Sequence, residues 1–140
     1  MSRNMAEPIL SDADYVTLAD FRYTLRQFMA FSEGKAAAQG LTAQQHQALL
    51  AIRAAGPDKA TVGYVAERLI LKPHSATGLV DRLETLGLLV RRHSLVDRRQ
   101  ALLELTDKAR TILAQLSATH REEIKRLRPL LTELLTRAGD

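Results

Sequence analysis

Apolar residues recur at helical spacing near the N-terminus. Four of them follow one another at three- and four-residue steps: Leu18, Phe21, Leu25 and Phe28. This period predicts a long first helix with one apolar face. Ser11 can cap the start of this helix, because Asp14 follows it at the spacing of a capping box.

A second helix is predicted to begin at Thr42, which has the capping-box spacing with Gln45. Its apolar pattern reaches about Ala54. Gly56 and Pro57 then end it.

Two short helices follow, joined by a tight turn. The first spans Thr61 to Leu69, and the second begins at Pro73, because proline disfavours helical geometry in the preceding residue yet suits a first helical turn. The inward face of the second helix is predicted to be Ala76, Leu79, Val80, Leu83 and Leu86. Small polar side chains near its N-terminus then face outward, which is the arrangement that helix-turn-helix DNA readers need.

The pattern changes from helix to strand beyond Gly87. Leu88 to Arg92 and Gln100 to Leu105 are prone to form strands, and the segment between them is too long for a two-residue turn. The sequence therefore predicts a hairpin with a projecting loop, which we call the wing. The fold class is mainly α with one small antiparallel β-hairpin.

The C-terminal part returns to a helical pattern. Thr106 with Asp107 begins a helix through about His120, and a further helical stretch starts at Arg121. Pro129 lies inside this stretch and predicts a kink or a break.

Positive charge is concentrated in one part of the chain. The sequence has 20 Lys and Arg against 16 Asp and Glu, a formal net charge of +4, which favours polyanionic partners. Residues 1–60 carry six basic and six acidic side chains, whereas residues 72–99 carry six basic and three acidic ones, a net charge of +3. Because the excess is local, we interpret it as a contact surface.

The composition argues against several classes of function. Without cysteine, the chain has no disulfide, thiolate metal site or cysteine nucleophile. Its four histidines are scattered, and it has no His-Glu-x-x-His pair, Gly-rich phosphate loop or Gly-x-Ser-x-Gly elbow, so neither an enzyme nor a cofactor is predicted. The N-terminus lacks a signal-peptide pattern, and no apolar run reaches the roughly 20 residues of a membrane span. We therefore predict a cytoplasmic protein that does not enter membranes.

Several motifs resemble those of one known family. They are Leu69-x-Leu71-x-Pro73-x-Ser75-Ala76-Thr77, Val80-Asp81-Arg82-Leu83-Glu84, Gly87-Leu88-Leu89-x-Arg91, Asp97-Arg98-Arg99 and Leu105-Thr106. In order and spacing, over about residues 60–110, they are similar to the winged helix-turn-helix of MarR-type transcription regulators. Two positions depart from the pattern: Gly78 stands where many members carry Arg or Lys, and Ala109 stands where many carry Gly.

The resemblance implies a single MarR-like domain over residues 1–140. Residues 11–56 and 106–140 would form dimerisation helices, and residues 57–105 the winged helix-turn-helix that binds DNA. It also implies a homodimer that places two winged regions on successive major grooves of a pseudo-palindromic operator in double-stranded DNA. Small aromatic or phenolic acids are implied as effectors that weaken DNA binding.

Five candidate DNA-binding residues lie on or beside the second short helix. We predict that Ser75 and Thr77 read base edges in the major groove, with His74 beside them; the alternative for the hydroxyls is a hydrogen bond to the nearby backbone. Arg82 is expected to reach a phosphate or to pair with an acidic neighbour. Lys72 is a candidate for a phosphate contact at the helix N-terminus.

Four more candidates lie on the wing. Arg98 and Arg99 are predicted to enter a narrow minor groove, and Asp97 to orient one of them or to bond turn amides. Arg91 and Arg92 alternate across a strand, so only one easily faces DNA, and Arg91 is the candidate. The alternative is a loop that is basic only for solubility.

An effector pocket would need a ring-sized slot and a cation or donor for an aromatic carboxylate. The candidates are Tyr15, Phe21, Arg22, Arg26 and His46. The alternative for the aromatic residues is the core and the dimer interface. His46 and His120 lie on segments that can approach each other, but a lone helical histidine is more often packed or exposed than a ligand, so no metal site is predicted.

From these residues and the resemblance, we predict a DNA-binding regulator that represses, or less often activates, transcription. The resemblance implies that a small ligand relieves its operator binding. The alternative is a winged-helix protein-interaction module that uses the same surface to bind an acidic partner.

Overall fold

The structure is a computed structural model, and it describes residues 9–97 and 99–139. The described chain contains, in order, α1 (Asp12–Ala38), α2 (Ala43–Ala55), α3 (Val62–Leu69), α4 (Pro73–Thr85), β1 (Leu89–His93), β2 (Ala101–Leu105) and α5 (Asp107–Gly139). The two strands form one antiparallel sheet. This order confirms the predicted mainly α fold with a single hairpin.

Reciprocal capping fixes where the first two helices begin. At α1, the backbone N–H of Asp14 donates to the hydroxyl of Ser11 (3.2 Å), and the N–H of Ser11 donates to the carboxylate of Asp14 (2.9 Å). At α2, the N–H of Gln45 donates to the hydroxyl of Thr42 (3.1 Å), and the N–H of Thr42 donates to the side chain of Gln45 (3.0 Å). Both predicted capping boxes are therefore confirmed, and a cap of this kind stabilises a helix by about 1 kcal/mol.

Helix α5 is continuous, whereas the sequence predicted one helix to about His120, a further stretch from Arg121, and a kink or a break at Pro129 inside that stretch. The helix runs without interruption through Pro129, so a break there is wrong, and a kink there stays a prediction. A proline in a helix removes one backbone hydrogen bond. Buried Leu127 and Leu134 on either side of Pro129 hold the segment in the helix despite that loss.

Leu86 also departs from its prediction. Helix α4 ends at Thr85, and Leu86 is its C-cap residue. The side chain of Leu86 is 44% exposed and not buried as predicted. The other predicted inward residues of α4 are buried: Ala76, Leu79, Val80 and Leu83.

The described chain forms two compact units. The first comprises residues 9–31 and 121–139. Its buried side chains are Thr17, Thr24, Leu127 and Leu134. Asp20 accepts a hydrogen bond from Thr24 through its backbone carbonyl (2.9 Å), and its carboxylate lies 3.5 Å from the guanidinium of Arg137. No helix in the described residues is long and apolar enough to cross a membrane.

The second unit comprises residues 32–120 and holds α4 and the wing on one hydrophobic core. Its fully buried large side chains are Leu49, Val65, Val80, Leu83, Leu88 and Leu89. Burying such a side chain stabilises the fold by about 1.5–3 kcal/mol. Helix α2 packs against α3, α4 and β2 in this unit. The division of the chain into dimerisation helices and a winged region of residues 57–105 stays a prediction.

Candidate nucleic-acid interface

Helix α4 presents polar side chains over its first two turns. Lys72 is the N-cap residue, and Pro73 is the first residue of the helix. The side chains of Lys72, His74, Ser75 and Thr77 are exposed, as predicted. Because the opposite face of α4 is buried in the core, these side chains are held toward the outside of the second unit.

The two hydroxyl groups differ in what they bond. Thr77 Oγ1 donates a hydrogen bond to the carbonyl oxygen of Pro73 at 3.0 Å. This is the hydrogen bond to the nearby backbone that is the predicted alternative to a base contact. Thr77 Oγ1 can still accept a hydrogen bond. Ser75 makes no side-chain hydrogen bond to any other residue that the structure describes. Contact of either hydroxyl with a base stays a prediction.

Gln44 of α2 joins this surface. It lines a groove of about 370 Å³ together with His74, Ser75, Gly78 and Arg82. Sequence reasoning missed Gln44, because only the packing of α2 against α4 brings it beside the polar residues.

The guanidinium of Arg82 makes no ion pair within the described part of the chain, although Asp81 and Glu84 are near in sequence.

The turn before α4 contains an unusual backbone conformation. Ile70 caps the C-terminus of α3 in the left-handed region, with φ 54° and ψ 51°, and its side chain is 92% exposed. The backbone N–H of Leu71 closes the turn by donating to the carbonyl of Ala66 at 2.9 Å. A β-branched residue is strongly disfavoured in this region, at a cost of about 1–2 kcal/mol.

The wing joins α4 through one arginine. Arg91 Nη2 lies 2.6 Å from Asp81 Oδ1, and Arg91 Nη1 lies 3.4 Å from Glu84 Oε1. Both carboxylates belong to α4, so the ion pairs connect β1 directly to that helix. Arg91 therefore has protein partners, and its contact with DNA stays a prediction.

The side chain of Arg92 lies on the opposite face of the same strand. Its Nη2 lies 3.3 Å from Asp58 Oδ1, and its Nε lies 2.7 Å from Glu104 Oε2. The backbone N–H of Leu103 also donates to the carbonyl of Ala60 at 2.8 Å. The contacts with Asp58 and Ala60 attach the hairpin to the α2–α3 connection, whereas the contact with Glu104 joins the two strands of the hairpin.

The tip of the wing is a closed turn. The backbone N–H groups of Val96 and Asp97 each donate to the hydroxyl of Ser94 at 3.2 Å, and the N–H of Ser94 donates to the carbonyl of Gln100 at 3.0 Å. Asp97 accepts the backbone N–H of Arg99 at 3.0 Å, and the same carboxylate oxygen lies 3.5 Å from Arg99 Nε. Asp97 thus bonds a turn amide and lies beside Arg99, and its role in orienting an arginine stays a prediction. Arg98 lies outside the described residues.

A buried pair of histidines lies elsewhere in the second unit. The rings of His46 and His120 have centroids 4.8 Å apart. His120 Nδ1 donates to the carbonyl of Leu116 at 2.6 Å, and His120 Nε2 forms a hydrogen bond of 2.8 Å with the hydroxyl of Ser32. His46 Nδ1 is buried without a partner among the described residues. Burial, and then the neighbouring His120, lower the pKa of His46.

His46 and His120 lie close together, in agreement with the prediction that the two segments carrying them can approach each other. Within the described residues, no group of three or more His, Asp or Glu side chains is placed to hold a metal ion.

The five predicted effector residues are divided between the two units. Tyr15, Arg22 and Arg26 are exposed and Phe21 is half-buried in the first unit, whereas His46 is buried in the second. The first unit contains an apolar cavity of about 150 Å³. Its lining is Thr24, Leu25, Phe28, Ile124, Leu127 and Leu131, which includes none of the predicted effector residues.

Comparison with known proteins agrees with this geometry. Residues 39–100 match the model of the MarR family. The HTH-type transcriptional repressor MdtR of Bacillus subtilis is 35% identical to this chain over 95 residues, which are 68% of this chain and 60% of MdtR. The chain belongs to the MarR family.

Solved structures of similar fold extend over most of this MarR-family chain. One is a point mutant of MepR from S. aureus bound to an oligodeoxyribonucleotide, with a TM-score of 0.66, 20% identity, and coverage of 87% of this chain and 96% of the MepR chain. Another is CouR from Rhodococcus jostii RHA1 bound to p-coumaroyl-CoA, with a TM-score of 0.68, 21% identity, and coverage of 84% and 87%. At these identities the likeness shows the fold. The match to MdtR spans less than two thirds of that relative.

Proposed function

We propose that this MarR-family protein binds double-stranded DNA through α4 and the wing and thereby regulates transcription. The observation that carries the proposal is the bond of Arg91 to Asp81 and Glu84, which attaches the wing to α4. A helix and a wing that are fixed to each other can enter neighbouring grooves of one duplex. The similar fold of MepR, solved with an oligodeoxyribonucleotide, supports this role.

In this proposal, each exposed residue of the surface has a distinct task. Ser75, Thr77 and His74 face base edges in the major groove, where all four base pairs can be distinguished. Lys72 and Arg82 contact phosphates on either side of them. Arg98 and Arg99 enter the minor groove, and Asp97 orients Arg99.

We also propose that two copies of the chain form the DNA-binding species. The first unit exposes many large apolar side chains: Tyr15, Val16, Leu18, Tyr23, Leu25, Met29, Ile124, Leu130 and Leu135. Exposed apolar surface on this scale is typical of an interface, and a two-fold dimer would present two copies of α4 to half-sites about one helical turn apart. Leu18→Arg should yield a monomer in analytical ultracentrifugation, and a variant that remained dimeric would place the interface elsewhere.

The regulator is proposed to be a repressor that an aromatic or phenolic acid releases from its operator. The name of MdtR as a repressor and the binding of p-coumaroyl-CoA by CouR support this assignment. The ligand residues proposed are those of the predicted set that lie in the first unit: Tyr15, Phe21, Arg22 and Arg26. Release of bound duplex by small aromatic acids, weakened in Arg22→Ala and Arg26→Ala, would be the expected result.

Selection of bound sequences from random duplexes tests the main proposal. We expect enrichment of a pseudo-palindromic sequence, and an affinity for it that falls with salt concentration. Arg99→Ala should reduce the log-log salt slope by about 0.9, because a guanidinium in the minor groove neutralises about one phosphate charge. Arg128→Ala on the exposed surface of α5 is the matched control and should leave the slope unchanged.

If no duplex sequence were enriched and the same surface bound acidic polypeptides, the proposal would be overturned in favour of a protein-interaction module. An unchanged slope for Arg99→Ala would overturn the assignment of Arg99.

A further inference from the structure

Two adjacent apolar side chains occupy the tip of the wing in full contact with water. Leu95 is 100% exposed and Val96 is 99% exposed. Single exposed apolar residues are ordinary on protein surfaces. Here, however, both lie at the end of the hairpin that projects farthest from its attachment to α4, and neither is covered by any part of the described chain.

The turn that carries them is held in one shape. Ser94 is buried, and its hydroxyl accepts the backbone N–H groups of Val96 and Asp97. The N–H of Gln100 donates to the carbonyl of Asp97 at 3.0 Å, which closes the turn from its other side. The exposure of Leu95 and Val96 is therefore built into the turn by its hydrogen bonds.

Charge around the tip indicates the kind of partner. Arg99 follows the apolar pair, and its side chain is 94% exposed. Arg91 and Arg92, within β1 below the tip, are bound to carboxylates of the protein. The tip thus combines an apolar end with a cation beside it, and this suits a partner with an apolar interior and anionic edges. A DNA minor groove has that character, with sugars along its walls and phosphates along its rims.

We propose that Leu95 and Val96 enter the minor groove as an apolar wedge that presses on a base step and bends the duplex. This inference rests on the proposed DNA-binding function. Leucine is one of the residues that minor-groove proteins insert between base steps to kink DNA. The four residue steps of β1, from Leu89 to His93, span about 13 Å from the base of the hairpin toward its tip. The ion pairs of Arg91 hold the hairpin beside α4, so in the proposed complex the tip lies near the minor groove next to the major groove that α4 enters.

The double variant Leu95→Ser and Val96→Ser tests the wedge on a duplex obtained by selection. We expect about tenfold weaker binding, because apolar contacts are lost. We also expect an unchanged salt slope, because no phosphate contact is lost. Fluorescence energy transfer between dyes at the two duplex ends should report a bend with the wild-type protein and a straighter duplex with the variant. Because both residues are fully exposed, the thermal midpoint should stay the same.

Two controls separate the wedge from other effects. Val90→Ser removes a partly exposed apolar side chain from β1 below the tip and should change neither affinity nor bending. Arg99→Ala should change the salt slope, unlike the double variant. If the wild type binds the duplex and the double variant shows the same affinity and the same bend, the proposed wedge is overturned. Absence of duplex binding by the wild type would overturn the proposed function and the wedge together.

Discussion

Arg91 of the wing and Asp81 of α4 are joined by an ion pair with 2.6 Å between Nη2 and Oδ1. The two residues lie on different elements, and Glu84 completes the contact from the next turn of α4. The pair is partly exposed, so its effect on stability is small. Its larger effect is on geometry, because it fixes the direction of the wing relative to α4.

Asp81→Asn should therefore weaken DNA binding more than it weakens the fold. A double-mutant cycle with Arg91→Ala should give a coupling of about 0.2–1 kcal/mol in urea unfolding. Duplex affinity should fall in both single variants, because the wing loses its orientation. Glu122→Gln, which removes a surface partner of Lys125 on α5, is the control and should leave affinity unchanged. If Asp81→Asn instead raised affinity and steepened the salt slope, Arg91 would be a phosphate contact that Asp81 restrains.

Gly78 is expected to limit both the stability of α4 and its affinity for DNA. A Cβ atom built at this position meets nothing within 4 Å, so Gly78→Ala should increase the free energy of unfolding by about 1 kcal/mol. Gly78→Arg should gain the same stability and also steepen the log-log salt slope by about 0.9. Thermal unfolding and fluorescence anisotropy measure the two effects. Equal salt slopes for the Ala and Arg variants would show that position 78 does not face a phosphate.

Ile70 offers a second stabilising substitution. Its backbone is left-handed, a conformation that asparagine tolerates far better than a β-branched residue. Because the side chain is almost fully exposed, Ile70→Asn loses little burial and should raise the free energy of unfolding by about 1 kcal/mol. Ile70→Val keeps the β-branch and should show no gain. A loss of stability in the Asn variant would mean that the side chain of Ile70 makes stabilising contacts in spite of its exposure.

His46 is expected to make stability depend on pH. Burial, and then His120, lower the pKa of His46 in the folded chain below its ordinary value of 6.5. The unfolded chain therefore binds a proton more readily, and stability increases with pH in this range. The contribution is complete above about 6.5 and is lost as pH falls from 6.5 through the lowered pKa.

Urea unfolding between about pH 4.5 and 7.5 measures this dependence. His46→Phe keeps a ring beside His120 but cannot take up a proton, so its stability should vary less with pH in this range. His74→Gln, at an exposed position, is the matched control and should retain the wild-type dependence. An identical pH dependence in the wild type and His46→Phe would refute the assignment.

Predictions that depend on residues a few positions apart agreed with the structure. The capping boxes at Ser11 and Thr42 need only side chains three positions from one another, and the inward stripe of α4 needs only helical spacing. The same kind of reasoning was wrong at Leu86, which keeps a helical backbone and the spacing of the stripe but is 44% exposed, because spacing alone does not say where the core ends. It was also wrong about a break at Pro129, because the burial of Leu127 and Leu134 outweighs one missing hydrogen bond.

By itself, the sequence determined the mainly α fold with one hairpin, the family motifs, and the concentration of positive charge in residues 72–99. Each of these depends on local order along the chain. Only the tertiary structure decided that Arg91 bonds to α4 and Arg92 to Asp58 and Glu104. It also brought Gln44 beside His74 and placed His46 against His120. Those contacts join residues far apart in sequence, and their geometry follows from how the buried faces of separate elements pack, which no local pattern encodes.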